Sequence, residues 1–250
     1  FILLMSLSFT YSQKLDELLD QADHFSMKTF ENQKSLDVIM QANKLFPNNW
    51  EVNWRISRTL VEIADKMPSS TDQQKDAQYK KYEEAFEYAD KAVKLAPNQS
   101  LPYIRRAIAN GKIALFKGVF SVIGIVNSVR EDLEKAIKLN NGGPENQATA
   151  HYVLGRTHTK VCEKSYLVRL PLGLGWGDMD EAIKNFTIAV ELRPDFRMIR
   201  LDFAKAYIQL KDFQNAKDQL FKIEHIAVKH QDDAQILVEA KQLIEKYKNK

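Results

Sequence analysis

Apolar and polar positions repeat in one pattern along this chain. Four stretches show it: SLDVIMQANKLFPNN from Ser35, AFEYADKAVKLAPNQ from Ala85, VREDLEKAIKLNNGG from Val129 and AIKNFTIAVELRPDF from Ala182. Each predicts a helix with a small residue seven positions after its start, at Ala42, Ala92, Ala136 and Ala189. A small side chain there lets a neighbouring helix come close. Three of the four stop at proline, at Pro47, Pro97 and Pro194, where the missing N–H ends the backbone ladder. A fifth copy, AYIQLKDFQNAKDQLFKI, carries Ala206, Tyr207 and Ala216.

A second helix precedes each copy. NWEVNWRISRTLVEIA, LPYIRRAIANGKIALF, HYVLGRTHTKV and RLDFAKAYIQL fill these places. The unit is therefore a helix pair of about 34 residues, the period of a helical repeat. Such a period, with an aromatic, a Leu-Gly pair, a Tyr, two Ala and a Pro spread over it, resembles the tetratricopeptide repeat. The fourth unit matches best, through Leu154, Gly155, Ala182, Phe186, Ala189 and Pro194. The second keeps Trp54, Ala85, Ala92 and Pro97, while the first and third are degraded. In the third, Asn141 stands where proline is expected, and Gly142, Gly143 and Pro144 break the helix instead.

Three insertions stretch the period. Pro47 to Pro97 spans 50 residues, with the excess near PSSTDQQKDAQYK, read as a polar loop opening the next helix. Gly155 to Ala182 spans 27 residues where the repeat pattern has about 12. The third unit is lengthened by KGVFSVIGIVNSV. This order of pieces, EYADKAVKLAPNQSLPYIRRAIANGKIALFKG, then HYVLGR, an apolar insertion and DEAIKNFTIAVELRP, is similar to the regulator of microtubule dynamics family, over roughly 85–223. The resemblance implies the architecture and a bacterial-type member. Thr157 stands where animal members favour Trp, and the cytoskeletal role is not carried over.

Composition adds limits. Only 9 glycines and 7 prolines in 250 residues favour long helices over many short strands. A net charge of +3 is too small for a dedicated nucleic-acid binder. The single cysteine, Cys162, excludes an internal disulfide and a cysteine zinc cluster. His151 and His158 lie seven apart, whereas helix-borne metal ligands prefer three or four, so neither a metal nor any other cofactor is expected. RLPLGLGWGDM places Gly173, Gly175 and Gly177 on alternate positions, which is not the Gly-x-Gly-x-x-Gly of a dinucleotide loop, and the segment before it reads as helix. That run is read as a structural insertion. Its Leu172, Leu174 and Trp176 should fold back onto neighbouring helices, and Asp178 or Asp180 should cap the next one. Trp176 at a ligand or partner surface is the competing reading. Nothing in the sequence supports catalysis.

The expected fold is all-α: a tetratricopeptide-repeat right-handed superhelix of about five helix pairs with a C-terminal capping helix at 232–248. One domain, 13–250, would hold units 13–49, 50–99, 100–143, 144–196 and 197–230. FILLMSLSFTYSQ, with small residues at Thr10 and Ser12, reads as the end of a secretory signal over 1–12. That would place the chain outside the cytoplasm, in the periplasm or secreted; the other reading is an ordinary apolar helix start in a cytoplasmic chain. No stretch has the length of a transmembrane span.

In repeats of this type the first helix of each pair lines a concave face, and two positions four apart look into it. Here they are Trp54 with Arg58, Ile104 with Ile108, Tyr152 with Arg156, and Leu201 with Lys205. An apolar rung beside a cation in three of four units suits an extended protein or peptide segment bearing acidic groups. Alternatively, the cations pair with Glu51, Glu62 or Glu163 inside the solenoid. The functional expectation is a non-enzymatic protein-interaction scaffold. The alternative is a carrier of a small apolar ligand or lipid, using the insertions at 118–129 and 166–178. GVFSVIGIVNSV is expected as one helix buried between its neighbours and the fourth-unit insertion; the alternative is that it lines a pocket for an apolar ligand or touches a membrane.

Overall fold

The computed structural model describes the backbone of residues 2–250 and side chains from residue 13 onward. The expected signal segment, 1–12, lies outside the residues with described side chains. No strand occurs among the described residues. The helices are α1 (Ile2–Met27), α2 (Asn32–Leu45), α3 (Trp50–Lys66), α4 (Asp72–Leu95), α5 (Ser100–Lys117), α6 (Ile123–Leu139), α7 (Pro144–Val161), the single turn α8 (Tyr166–Arg169), α9 (Met179–Leu192), α10 (Arg197–Gln209), α11 (Phe213–Glu224) and α12 (Asp233–Tyr247). The sequence reading treats 13–250 as one domain; the chain divides into two compact units, 1–113 and 114–250, with the boundary inside α5.

Helix ends follow local chemistry. α2, α4 and α9 stop two residues before Pro47, Pro97 and Pro194, because proline disfavours a helical residue before it and has no N–H to donate. α6 ends on Asn140, left-handed at φ 46°, and α7 restarts with Pro144 in its first turn behind Gly143 at φ 85°. Asn49 caps α3 by accepting from the Val52 N–H at 3.1 Å. Asp178 caps α9 by accepting from the N–H groups of Asp180 and Glu181.

Two segments differ from the sequence reading. Most of the stretch read as a polar loop, 68–80, is helix. Thr71 accepts from the Gln74 N–H while the Gln74 side chain accepts from the Thr71 N–H. This capping box starts α4 at Asp72 and lengthens it to 24 residues. The reverse holds for GVFSVIGIVNSV, which is not one helix. Gly118 turns at φ 89°, Val119–Ser121 forms a single 3₁₀ turn, and α6 begins at Ile123. Its packing is as expected: Val119, Phe120, Val122, Ile123 and Ile125 gather with Val126 around Leu174 of the fourth-unit insertion.

In unit 1, α1 packs on α2, α2 on α3 and α3 on α4. In unit 2, α7 packs on α9 across the α8 insertion, α9 on α10, α10 on α11, and α12 covers both α10 and α11. The repeat alanines Ala42, Ala92, Ala136 and Ala189 are all 0% exposed, as close helix approach requires. Gly155 has the same origin. A Cβ there would lie 3.2 Å from both the Ala182 carbonyl oxygen and the Phe186 ring. Phe186, fully buried, stacks on Phe203 at 5.4 Å, and Phe203 on Tyr207 at 4.7 Å. Burying one such ring stabilises the fold by about 1.5–3 kcal/mol.

Candidate interaction surface

The two units build their polar clusters from the same elements, the first helices of the pairs. In unit 1 the centre is Asp23 of α1. Its Oδ2 accepts from Arg55 Nε at 3.0 Å and Nη2 at 2.8 Å, and its Oδ1 accepts from Arg58 Nη2 at 2.7 Å. Arg55 also donates to Glu51 at 2.6 Å, and Glu51 accepts from Trp54 Nε1 at 2.8 Å. Burial alone would raise the Asp23 carboxyl, but the hydrogen bonds and charges of Arg55 and Arg58 outweigh it and hold it below the usual range. Three guanidinium groups surround the Trp54 ring, with Arg55, Arg58 and Arg105 at 4.2, 5.1 and 5.4 Å from its centroid.

In unit 2 the centre is Asp202 of α10. Its Oδ2 accepts from Tyr152 Oη at 2.7 Å and pairs with Arg156 Nε at 2.9 Å. Its Oδ1 lies 3.7 Å from Lys205 Nζ, and Lys205 continues to Glu239 of α12 at 2.8 Å. Charges therefore alternate from α7 through α10 to α12. Burial pushes the Tyr152 phenol well above its ordinary 10, with Asp202 adding to the effect and Arg156 opposing it.

The groove positions singled out in the sequence lie in or beside these networks. Trp54, Ile104, Tyr152 and Leu201 are buried rungs, and Ile108 is half-buried. Arg58 is 5% exposed and bound to Asp23; Arg156 and Lys205, at 35% and 40%, hold Asp202. All three cations have internal partners, but those are Asp23, Asp202 and Glu239, not Glu51, Glu62 or Glu163. Glu51 goes to Arg55, Glu163 to Lys160, and Glu62 accepts from Ser26 Oγ at 2.8 Å. Asp23, Arg55, Arg105 and Asp202 belong to these clusters without standing out in the repeat pattern. Lys205 sits three residues beyond Asp202, a readable helical ion-pair spacing. Nothing in the sequence favours Asp23 over its neighbours Asp16 and Asp20.

The glycine run wraps a buried cation. Arg169, 8% exposed, sends Nη1 to the carbonyls of Leu174 at 3.3 Å, Gly175 at 3.4 Å and Gly177. A Cβ on Gly177 would collide with Val161 and press on that same guanidinium. Leu174 is fully buried, and Trp176 donates Nε1 to Asn127 at 2.8 Å and packs edge-on to His158 at 5.2 Å. Leu172 departs from expectation. It stays exposed with Tyr166, Leu167, Val168 and Leu170, on the α8 turn and just after it, while Arg169 between them points inward. Among the described residues no group of His, Cys, Asp and Glu is disposed to hold a metal ion, and no helix is long and apolar enough to cross a membrane.

The family description "Regulator of microtubule dynamics protein 1-3" matches residues 18–248, from α1 to just past α12. This chain belongs to that family. Among regulator of microtubule dynamics proteins, protein 1 of Bos taurus is 26% identical over 246 residues, covering 95% of this chain and 73% of its own length. Protein 2 of Mus musculus is 25% identical over 209 residues, covering 81% of this chain but only 49% of itself. In the fold comparison, a thermophilic tetratricopeptide-repeat protein of Thermus thermophilus, TTC0263, has a TM-score of 0.62 at 17% identity, covering 92% of this chain and 99% of that one. Pseudomonas aeruginosa pilF has a TM-score of 0.57 at 10% identity, covering 95% and 90%. The family member described here is thus a tetratricopeptide-repeat protein.

Proposed function

We propose that the chain is a non-enzymatic interaction scaffold, and that extended segments of a protein partner lie along the first helices of its repeats. The observation that supports this is the pair of polar rows. Each is borne on first helices, fixed by hydrogen bonds of 2.6–3.0 Å, and keeps half-exposed members at its edge, Arg105 and Ile108 in unit 1 and Arg156 and Lys205 in unit 2. Groups already locked in place lose little entropy when a partner arrives. The fold neighbours and the family name are those of tetratricopeptide-repeat and regulatory proteins, which accords with binding and not with catalysis.

Photo-crosslinking residues test this reading. They are placed at 108 and 205 on the first helices, or at the exposed positions 94 and 184 on the second helices. Partner cross-links should form from 108 and 205 and be absent from 94 and 184. Cross-links arising mainly from 94 and 184 would move the interaction to the opposite face and reject the proposal.

A second reading, contact with an apolar ligand or lipid through the 166–178 insertion, has one observation in its favour: Leu167 is 82% exposed at the tip of an ordered turn, with four apolar neighbours also outward. Leu167→Ser should weaken retention on lipid vesicles if that turn is a contact; undiminished retention rejects this second reading.

A further inference from the structure

A cavity of about 370 Å³ opens in unit 2 where α6 and α9 end and α7 begins. Gln147 and His151 of α7 form its inner part, Pro144 and Leu192 supply apolar contact, and Asn140 and Gly143 stand at the exposed rim. None of these residues belongs to the Asp202 network. His151 is held in one orientation. Asn185, 4% exposed, donates Nδ2–H to the Glu181 carbonyl at 2.8 Å, so its Oδ1 is the atom that meets His151 Nδ1, also at 2.8 Å. An amide oxygen only accepts. Nδ1 therefore carries the hydrogen, and Nε2 of the neutral ring keeps its lone pair. That Nε2 has no hydrogen-bond partner among the described residues. Gln147 repeats the arrangement one turn earlier. It is buried, its Nε2 donates to the Ala136 carbonyl at 3.3 Å, and Oε1 is left as a second acceptor. An imidazole fixed through one nitrogen presents the other in a set direction. Among the described residues no set of His, Cys, Asp and Glu is disposed to make that nitrogen a metal ligand.

We infer that this cavity binds an aromatic hydrogen-bond donor, the indole or phenol of a Trp or Tyr side chain, which donates to His151 Nε2 while its ring packs on Pro144 and Leu192. Size, charge and polarity each narrow the choice. Ligand cavities run from roughly 300 to 1,000 Å³, so this one suits a single ring system and not a lipid chain. A small aliphatic hydroxyl would leave most of it to water. The lone pairs of His151 and Gln147 face a carboxylate or phosphate unfavourably. No lining residue is a carboxylate, so a Lys or Arg side chain would leave water without a counter-charge. A neutral aromatic donor meets the acceptor without that cost, and Trp and Tyr combine the donor with a large apolar face. The site goes beyond the scaffold reading. It lies where two second helices end, and it needs no segment along the first helices.

The test is a nuclear magnetic resonance titration of the whole chain at pH 8, following the His151 ring nitrogens. The probes are indole, 1-methylindole, phenol, anisole and benzoate. Indole and phenol should shift the Nε2 signal saturably, each binding about fivefold more tightly than its methylated partner, the share of one net hydrogen bond. Whichever of the two binds more tightly identifies the side chain. His151→Phe keeps a ring and removes the acceptor, so it should erase the preference for indole over 1-methylindole. That variant also loses its bond to Asn185, so Leu192→Gln, at a half-exposed position, provides a second check. It should weaken indole and 1-methylindole by the same factor and keep the ratio between them. Equal affinity for donor and methylated probes, no saturable shift at the solubility limit, tighter binding of benzoate than of phenol, or undiminished binding to Leu192→Gln overturns the proposal. No outcome here depends on the cross-links at 108 and 205, so the site and the scaffold reading stand or fall separately.

Discussion

Asp23 in unit 1 and Asp202 in unit 2 serve the same purpose in different surroundings. Each is a carboxylate on a first helix that gathers cations from the position four residues after a buried aromatic, Arg58 after Trp54 and Arg156 after Tyr152. In unit 2 the charges close. Asp202 takes Tyr152, Arg156 and Lys205, and Glu239 on the last helix takes what Lys205 has left. In unit 1 they do not: Asp23 is shared by two arginines, and a third, Arg105, arrives from the next helix against the Trp54 ring, with no ion pair to a carboxylate among the described residues. The same repeat position therefore yields a satisfied internal strut in one unit and a leftover cation in the other. An aromatic-plus-cation pattern marks where a network will form; its acids decide whether every cation is paired.

The largest expected effect is at the more buried centre. Asp23→Ala strands Arg58, 5% exposed, leaves Arg55, 13% exposed, with Glu51 alone, and should cost about 3 kcal/mol in urea unfolding. Asp202→Ala releases Arg156 and Lys205, which water can still reach, and leaves the Tyr152 hydroxyl without its acceptor; about 2 kcal/mol is expected. If Asp202→Ala proves the more damaging, the ranking of the two centres by burial is wrong. Tyr152→Phe isolates one component of the second centre and should cost about 1 kcal/mol, measured in the same way. A loss as large as that of Asp202→Ala would mean that Asp202 acts mainly through the phenol.

Acid offers the smallest and most selective perturbation. His158 is buried, and burial, helped by Arg130 and Arg169, holds its imidazole below the ordinary 6.5 against the opposing pull of Glu181 and Asp178. Its Nδ1 accepts from the Asp178 N–H at 3.1 Å, which needs the neutral ring. The unfolded chain therefore binds a proton more readily than the folded one. Stability from this group is complete above pH 6.5 and falls as pH drops below it toward the folded value. Asp23 is lowered in the folded state, so its contribution is present above about 3.8 and is lost as pH falls through its folded value. Between pH 6 and 4, Trp176 fluorescence, read in a chain whose other tryptophans are Phe, should change, while hydrogen-exchange protection factors around Asp23, measured in the unsubstituted chain, stay constant. His158→Gln should flatten the Trp176 response. Simultaneous changes in both regions would erase the distinction.

Much of this was legible in the residues. The repeat alanines, terminating prolines and the Leu154–Gly155 pair predicted helix pairs because close packing and chain termination are local demands. The wrong spacing of Gly173, Gly175 and Gly177 ruled out a phosphate loop, although nothing local showed that the run wraps Arg169. The polar composition of the stretch after Pro68 suggests a loop; the Thr71–Gln74 capping box, present in the sequence, makes it helix. The paired positions of the first helices were also legible, as was the alternative that their cations pair inside the fold.

By itself, then, the sequence determined the helical period, the positions where helices touch and the residue types along each first helix. Those depend on spacing within one segment. Only the tertiary structure decided which carboxylate each cation meets, since Asp23 lies 35 residues from Arg58 and Asp202 lies 46 from Arg156. It alone could show that Arg105 pairs with none among the described residues. A missing partner leaves no mark in sequence, because charge balance inside a fold is set by distances between helices and not by the order of residues along them.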